Sequence, residues 1–192
     1  MPDSNITKRA LADAIKQLME EQPFSKISVG DICRQCGMNR KSFYYHFRDK
    51  YDLVDWIFES EFLGKLKLDE DADGWRLLAE LCGYLYEKRA FYRNAMEIEG
   101  QNSFCESFFK TIKPLLQVML EDLCPEPDSD EEQIEFTCNF LMDAFWGSLV
   151  RWLRESEPAQ PEAFVGRLNV VMRYMAQAAE RKRTKPDEEE RI

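Results

Sequence analysis

Apolar residues recur three and four apart along nearly the whole chain, without strand-length alternation, and this pattern predicts an all-α protein. The first stripe, Ala10, Leu11, Ala14, Ile15 and Leu18, occupies one face of a helix predicted over residues 7–21, which ends before Pro23. Phe24 and Ile27 come next as plugs for a small core. Ser28 is a good N-cap for a short helix with Val29, Ile32, Cys33 and Cys36 turned inward, and Gly37 stands where the chain leaving it needs a positive φ. Asn39 caps a second short helix whose Phe43 and Phe47, four apart, face the first. Helix, glycine turn and helix together read as a helix-turn-helix, the third helix of the unit being the one that starts the chain. Asp49 then caps a helix striped by Leu53, Val54, Ile57, Phe58 and Phe62, which links this head to a larger helical body.

Longer helical patterns fill the remainder of the chain. They are predicted over residues 75–88, 91–99, 103–123 with Pro114 as a kink, 131–155 and 162–183. Acidic, turn-rich residues 68–74 and the proline-containing loops before 131 and 162 punctuate them. The expected organisation is a helix-turn-helix domain over 1–50, a C-terminal helical bundle over 51–183, and a charged, disordered tail over 184–192.

Composition narrows the function classes. With 192 residues and 44% apolar content, the chain has room for one small module and one larger helical body. No apolar run approaches the roughly 18 residues of a membrane span, and the N-terminus lacks a secretory pattern, so a cytoplasmic protein with no membrane partner is expected. The six cysteines are then reduced, structural thiols. Cys33 and Cys36 have metal-ligand spacing, but one histidine and no second cysteine pair leave a tetrahedral site without its other ligands, so no metal and no cofactor is expected. An enzyme is not expected either: there is no phosphate-binding glycine loop and no nucleophile with a local base.

The net charge of −10 argues against nucleic acid until its distribution is read. Residues 1–50 carry nine Lys/Arg against six Asp/Glu, a net of +3, which leaves −13 on the rest of the chain. A basic head on an acidic body presents one end to DNA and discourages non-specific coating of the duplex. On that head, Asn39, Arg40 and Lys41 start the second short helix where a recognition helix reaches base edges. Ser42, Tyr44, Tyr45 and His46 complete its outer surface, the tyrosines and histidine as phosphate donors, and Ser28 adds a hydroxyl at a helix N-terminus.

The run VGDICRQCGMNRKSFYYHFRDKYDL, residues 29–53, resembles the DNA-binding domain of the TetR/AcrR family of regulators, with Cys33 and Cys36 in place of small residues and Tyr51 in place of an acidic one. The resemblance implies that Tyr44, Tyr45, His46 and Lys50 clamp the DNA backbone, that the protein is a homodimer on a palindromic double-stranded operator, and that it acts as a ligand-responsive regulator, most often a repressor. FFKTIKPLL, residues 108–116, and FWGSLVRWLRE, residues 145–155, resemble the subgroup related to regulators of dihydroxyacetone utilisation. That likeness implies a protein coactivator, acting on the acidic body, as the alternative to a small-molecule effector.

Two further expectations concern the body. The last two helices carry apolar residues beyond one stripe, so Phe164, Leu168, Val171 and Met175 are expected to form a two-fold four-helix interface, as the last helices do in the resembled family. The resemblance also implies an effector pocket, expected around Tyr86, Met96, Phe104, Phe108, Phe145, Trp146 and Leu149, where methionine and aromatic side chains gather.

Overall fold

The computed structural model describes residues 2–65, 74–98, 103–123 and 131–183. Every regular element among them is helical: α1 (Pro2–Glu21), α2 (Val29–Gln35), α3 (Arg40–His46), α4 (Lys50–Glu61), α5 (Gly74–Glu87), α6 (Arg89–Ala95), α7 (Phe104–Leu123), α8 (Glu131–Arg154) and α9 (Pro161–Arg183), with 3₁₀ turns at Phe24–Lys26 and Leu63–Lys65. The expected disordered tail, most of the acidic 68–74 segment and Cys124 lie outside the described residues. Helix α1 starts five residues before its expected beginning and α6 is shorter than its pattern, while α7 continues through Pro114.

The head folds on local signals. Ser28 and Asp31 form a reciprocal capping box at α2, satisfying two backbone N–H groups that the helix cannot satisfy itself. Gly37, at φ +68°, carries the chain out of α2, and Asn39 caps α3 through Ser42 N–H. Leu11, Ile15, Ile32, Phe43 and Phe47 fill the space between α1, α2 and α3.

No gap separates this small core from the body. Helix α1 packs on α4 and α6 as well as on α2 and α3, and α4 packs on α7. Phe58 of α4 is the joint: its ring meets Phe62, Tyr92, Phe104 and Phe108 at 5.4–6.1 Å. Alongside it runs a polar strut. Lys16 of α1 pairs with Glu61 of α4, which accepts from Tyr84 Oη at 3.2 Å, and Tyr84 and Tyr92 share a hydrogen bond at 2.9 Å. Asn94 of α6 adds a hydrogen bond to the carbonyl of Met19.

In the body, α5 packs on α7 and α9, and α7 on α8. The α8–α9 hairpin is held by Trp152, whose indole stacks on Phe164 at 4.2 Å and on Tyr86 at 5.7 Å, and whose Nε1 donates to Ala159 O at 2.8 Å. No buried side-chain nitrogen or oxygen among the described residues lacks a partner.

Candidate nucleic-acid interface

Helix α3 divides its seven residues cleanly. Phe43 is fully buried, while Arg40, Lys41, Tyr44 and Tyr45 are exposed, Tyr45 at 83%. Positions 40 and 44, and 41 and 45, stand one turn apart, so the four form one continuous outward face. Edge-on contact between Phe43 and Tyr44 at 5.5 Å, and between Tyr45 and His46 at 4.9 Å, sets the rings against their neighbours. Arg40 leans back over α2, where a methyl group on Gly30 would come within 2.6 Å of its Nη2, so this glycine lets the guanidinium lie close to the α2 backbone. An aromatic, cationic face on a helix backed by a filled core is the arrangement that enters a DNA groove and reaches both base edges and phosphates.

Other residues singled out from the sequence are committed elsewhere. Asn39 Oδ1 accepts from Ser42 N at 2.8 Å and from Ser42 Oγ at 3.2 Å, so both side chains serve the helix cap. Ser28 gives its hydroxyl proton to Asp31 at 2.6 Å, which places a carboxylate rather than an open donor at the start of α2. Hydrogen bonds from Ser28 and Arg34 hold the Asp31 carboxyl at about 2. Lys50 is turned inward: Nζ donates to Phe24 O and Ile27 O, both at 2.7 Å, and lies 4.2 Å from the centroid of the Phe24 ring. Burial lowers its pKa, and the ammonium closes the 3₁₀ turn instead of standing free for a phosphate. His46 is half-buried and looks into a polar cleft rather than straight out from α3.

That cleft gave no sequence signal. It lies between α1, α4 and α7 and is lined by Lys8, Arg48, Asp55, Glu59, Glu106 and Lys110 among others. Lys8 sits over the Phe47 and Trp56 rings at 5.7 and 5.5 Å. Asp55 bonds Ser107 across the head–body joint, and burial pushes its carboxyl up to about 6. Only contact between helices distant in sequence makes such a site, so no local motif announces it.

The expected pocket residues are redistributed. Phe104, Phe108 and Leu149 are fully packed in the core, and Met96 is buried with them. Trp146 packs on Phe104, Phe108 and Phe109, and Tyr86 is taken up by Trp152 and by a hydrogen bond from Gln160. Phe145 alone of the seven borders the body's apolar cavity, a space of about 330 Å3 between α5, α7, α8 and α9.

The expected interface residues divide along α9. Phe164 is buried against Trp152 and belongs to the protomer core, and Leu168 is half-buried beside the cavity. Val171 and Met175 are exposed, together with Val170 and Tyr174, and Phe136 and Phe140 of α8 are exposed as well. The unpaired apolar surface therefore sits nearer the C-terminal end of α9 than the stripe implies.

Cys33 is buried and its pKa raised by desolvation, Cys36 Sγ bonds the Ile32 carbonyl at 3.3 Å, and burial pushes Cys82 up to about 12. Among the described residues no cluster of histidine, cysteine or carboxylate has a metal-binding arrangement, and no helix is long and apolar enough to cross a membrane.

Comparison with known proteins agrees with this architecture. Residues 11–57 match the model of the tetR family of bacterial regulatory proteins, and residues 75–174 match that of a transcriptional regulator C-terminal region. The HTH-type dhaKLM operon transcriptional activator DhaS of Lactococcus lactis is 31% identical over 143 residues, covering 73% of this chain and 75% of its own. The HTH-type transcriptional regulator AcrR of Shigella flexneri is 32% identical over 68 residues, 34% of this chain and 32% of its own. Among solved structures, a TetR transcriptional regulator from Streptococcus agalactiae superposes with a TM-score of 0.66 at 21% identity, covering 90% of this chain and 95% of its own. NalD of Pseudomonas aeruginosa, described as the secondary repressor of a multidrug efflux pump, gives 0.61 at 21% identity, covering 91% and 97%. The chain belongs to the TetR family of transcriptional regulators: it is a DNA-binding regulator, not an enzyme.

Proposed function

We propose that this regulator works as a homodimer on a palindromic operator, with the Arg40, Lys41, Tyr44 and Tyr45 face of α3 in the major groove of each half-site. The observation that carries the reading is the division of α3: a fully buried Phe43 anchors a helix whose exposed residues are cationic and aromatic. The exposed apolar residues of α8 and α9 support pairing of two copies through those helices, which would place two α3 faces on one duplex. The head, residues 1–50, and the body, residues 51–183, are read as the DNA-binding and the effector-binding and dimerisation parts.

An effector in the body changes the spacing of the two heads through α4, because Phe58 and the Lys16–Glu61–Tyr84–Tyr92 strut tie α1 and α4 to α5, α6 and α7. Footprinting on the DNA upstream of the regulator's own gene tests the reading. Protection of two symmetric half-sites, lost together in Arg40→Ala, is the expected result. Protection of a single asymmetric site would remove the dimer on a palindrome.

The sign of regulation has a second reading. The Lactococcus lactis relative is named an operon activator, and this favours activation over the repression that the family resemblance implies. A reporter fused to the footprinted promoter decides: a fall in expression on deleting the regulator is activation, a rise is repression.

A further inference from the structure

The polar cleft between α1, α4 and α7, about 450 Å3, is where head and body face each other. Lys8 of α1, His46 at the end of α3 and Arg48 just after it, Asp52, Asp55 and Glu59 of α4, and Glu106 and Lys110 of α7 all border it, with Asp49 close by at the start of α4. Three residues separate α3 from α4, so a change in how α4 lies on α7 carries α3 with it.

Most of these charges are paired or solvated. Arg48 reaches Asp52 at 3.4 Å, Lys8 lies over the Phe47 and Trp56 rings, and Glu59, Glu106 and Lys110 are exposed. Asp55 differs. It is half-buried, it forms no ion pair among the described residues, and it is held across the joint by a hydrogen bond from Ser107 of α7. Asp49, Asp52 and Glu59 surround it with like charge, and a carboxyl so placed is costly when ionised and comfortable when protonated. Burial first, and then those neighbours, push it up to about 6. Opening the cleft returns it to water and toward its ordinary 3.8, so the closed joint binds the proton more tightly than the open one.

We propose that this cleft is a proton-operated latch between head and body: protonated Asp55 lets α4 seat on α7 and fixes the spacing of the two α3 helices, and ionised Asp55 loosens the joint and weakens operator binding. The proposal rests on the dimer reading above and adds the proton as a controlling ligand. The sign follows from linkage. A carboxyl whose pKa is raised in the closed joint favours closure fully below about pH 4, and that preference is lost as pH rises through about 6. A loosened joint leaves the two heads without a fixed separation, and both half-sites are then met together less often.

The test titrates full-length protein onto the footprinted duplex from pH 5 to pH 8 at constant ionic strength, comparing the parent with Asp55→Asn, which copies the neutral carboxyl. His46 is present in both and drops out of the comparison. The ratio of the parent's Kd to that of Asp55→Asn should be close to one at pH 5 and rise to roughly 5 by pH 8, with its midpoint near 6. Glu59→Gln, which removes a like charge, should move the parental midpoint down, and Ser107→Ala, which removes a hydrogen bond that favours the ionised form, should move it up. Deuterium uptake by α4 and the start of α7, corrected for the chemical exchange rate, should rise over the same interval in the parent and stay level in Asp55→Asn.

A ratio that stays flat from pH 5 to pH 8 would overturn the latch, as would deuterium uptake that rises while operator affinity does not change. Should Asp55→Asn fail to fold, the midpoints in Glu59→Gln and Ser107→Ala decide alone: opposite movements support the latch, and midpoints that stay put or move together overturn it. The dimer reading is scored separately. Symmetric footprints with a flat ratio leave that reading standing while the latch fails, whereas a single asymmetric footprint removes the dimer on a palindrome and the latch with it.

Discussion

The head and the α8–α9 end of the body expose their large side chains for opposite reasons. On α3, the exposed Tyr44 and Tyr45 are amphipathic, interleave with Arg40 and Lys41, and stand on a core with Phe43 fully buried. On α8 and α9, the exposed Phe136, Phe140, Val170, Val171 and Met175 are apolar, and Phe140, Val171 and Met175 border a cavity. A surface offering donors and cations over a rigid base suits a charged, hydrated partner. One offering apolar area over a void suits a partner that removes it from water. The two ends of one regulator are thus distinguishable by what lies beneath the exposed residues as much as by the residues themselves.

The largest effect that could break this contrast lies on α9. Phe164→Ala should cost roughly 3–5 kcal/mol of protomer stability, because it removes a buried ring stacked on Trp152. Val171→Glu and Tyr174→Glu, further along the same helix, should leave the unfolding midpoint in urea nearly unchanged for the isolated subunit and yield monomers by sedimentation. Intact dimers in both glutamate variants would move the pairing surface off α9.

In the head, the contrast is between cations that look alike in sequence. Lys50→Met should lower stability by roughly 1.5–3 kcal/mol, since it strips a charged donor from the carbonyls of Phe24 and Ile27. Arg40→Ala should leave stability within about 0.5 kcal/mol and weaken operator binding by roughly 1–3 kcal/mol in mobility-shift titrations. A Lys50→Met protein of wild-type stability with lost DNA affinity would return this lysine to the duplex.

Gly37→Ala probes the turn that aims α3. A methyl group there meets nothing within 4 Å, so the cost is that of the backbone alone at φ +68°, roughly 1–2 kcal/mol in urea unfolding. A neutral substitution would mean that the turn relaxes to another conformation.

Local codes explain how much of the molecule is legible in its sequence. Ser28, Gly37, Asn39 and Asp49 act within four residues of their own positions, and all four occupy the places their chemistry predicts. The long helices of the body come from periodicity, which reports a helix and its apolar face but not what meets that face. Phe104, Phe108 and Trp146 are aromatic on an inward stripe whether they line a cavity or fill it, and here they fill it. Phe164 and Val171 share a stripe, yet only contact with Trp152 distinguishes core from surface. Lys50 escapes a sequence reading for a related reason: its reach back to the Phe24 turn depends on where α4 crosses α1, which no spacing encodes.

The smallest effect concerns pH and sets two carboxyls against each other. Asp55, in the head–body cleft, is pushed up to about 6 from 3.8, first by burial and then by Glu59, Asp52 and Asp49, with the hydrogen bond from Ser107 opposing. Lys8, His46, Arg48, Glu106 and Lys110 also face this cleft. The folded state therefore holds the Asp55 proton more tightly than the unfolded chain does. Its contribution is full below about pH 4 and is lost as pH rises through about 6. Asp31, held at about 2 by the capping box, behaves oppositely: its contribution is present above about pH 4 and lost as pH falls toward 2. Urea midpoints measured between pH 3 and pH 8 should show a shallower decline toward neutrality in Asp55→Asn. Asp31→Asn should instead show a shallower loss at the acid end. A His46→Gln background in all variants keeps the imidazole of the same cleft out of the comparison. An Asp55→Asn protein that declines through pH 6 as steeply as the parent would show that the carboxyl is solvated, and that the joint between head and body is looser than its contacts imply.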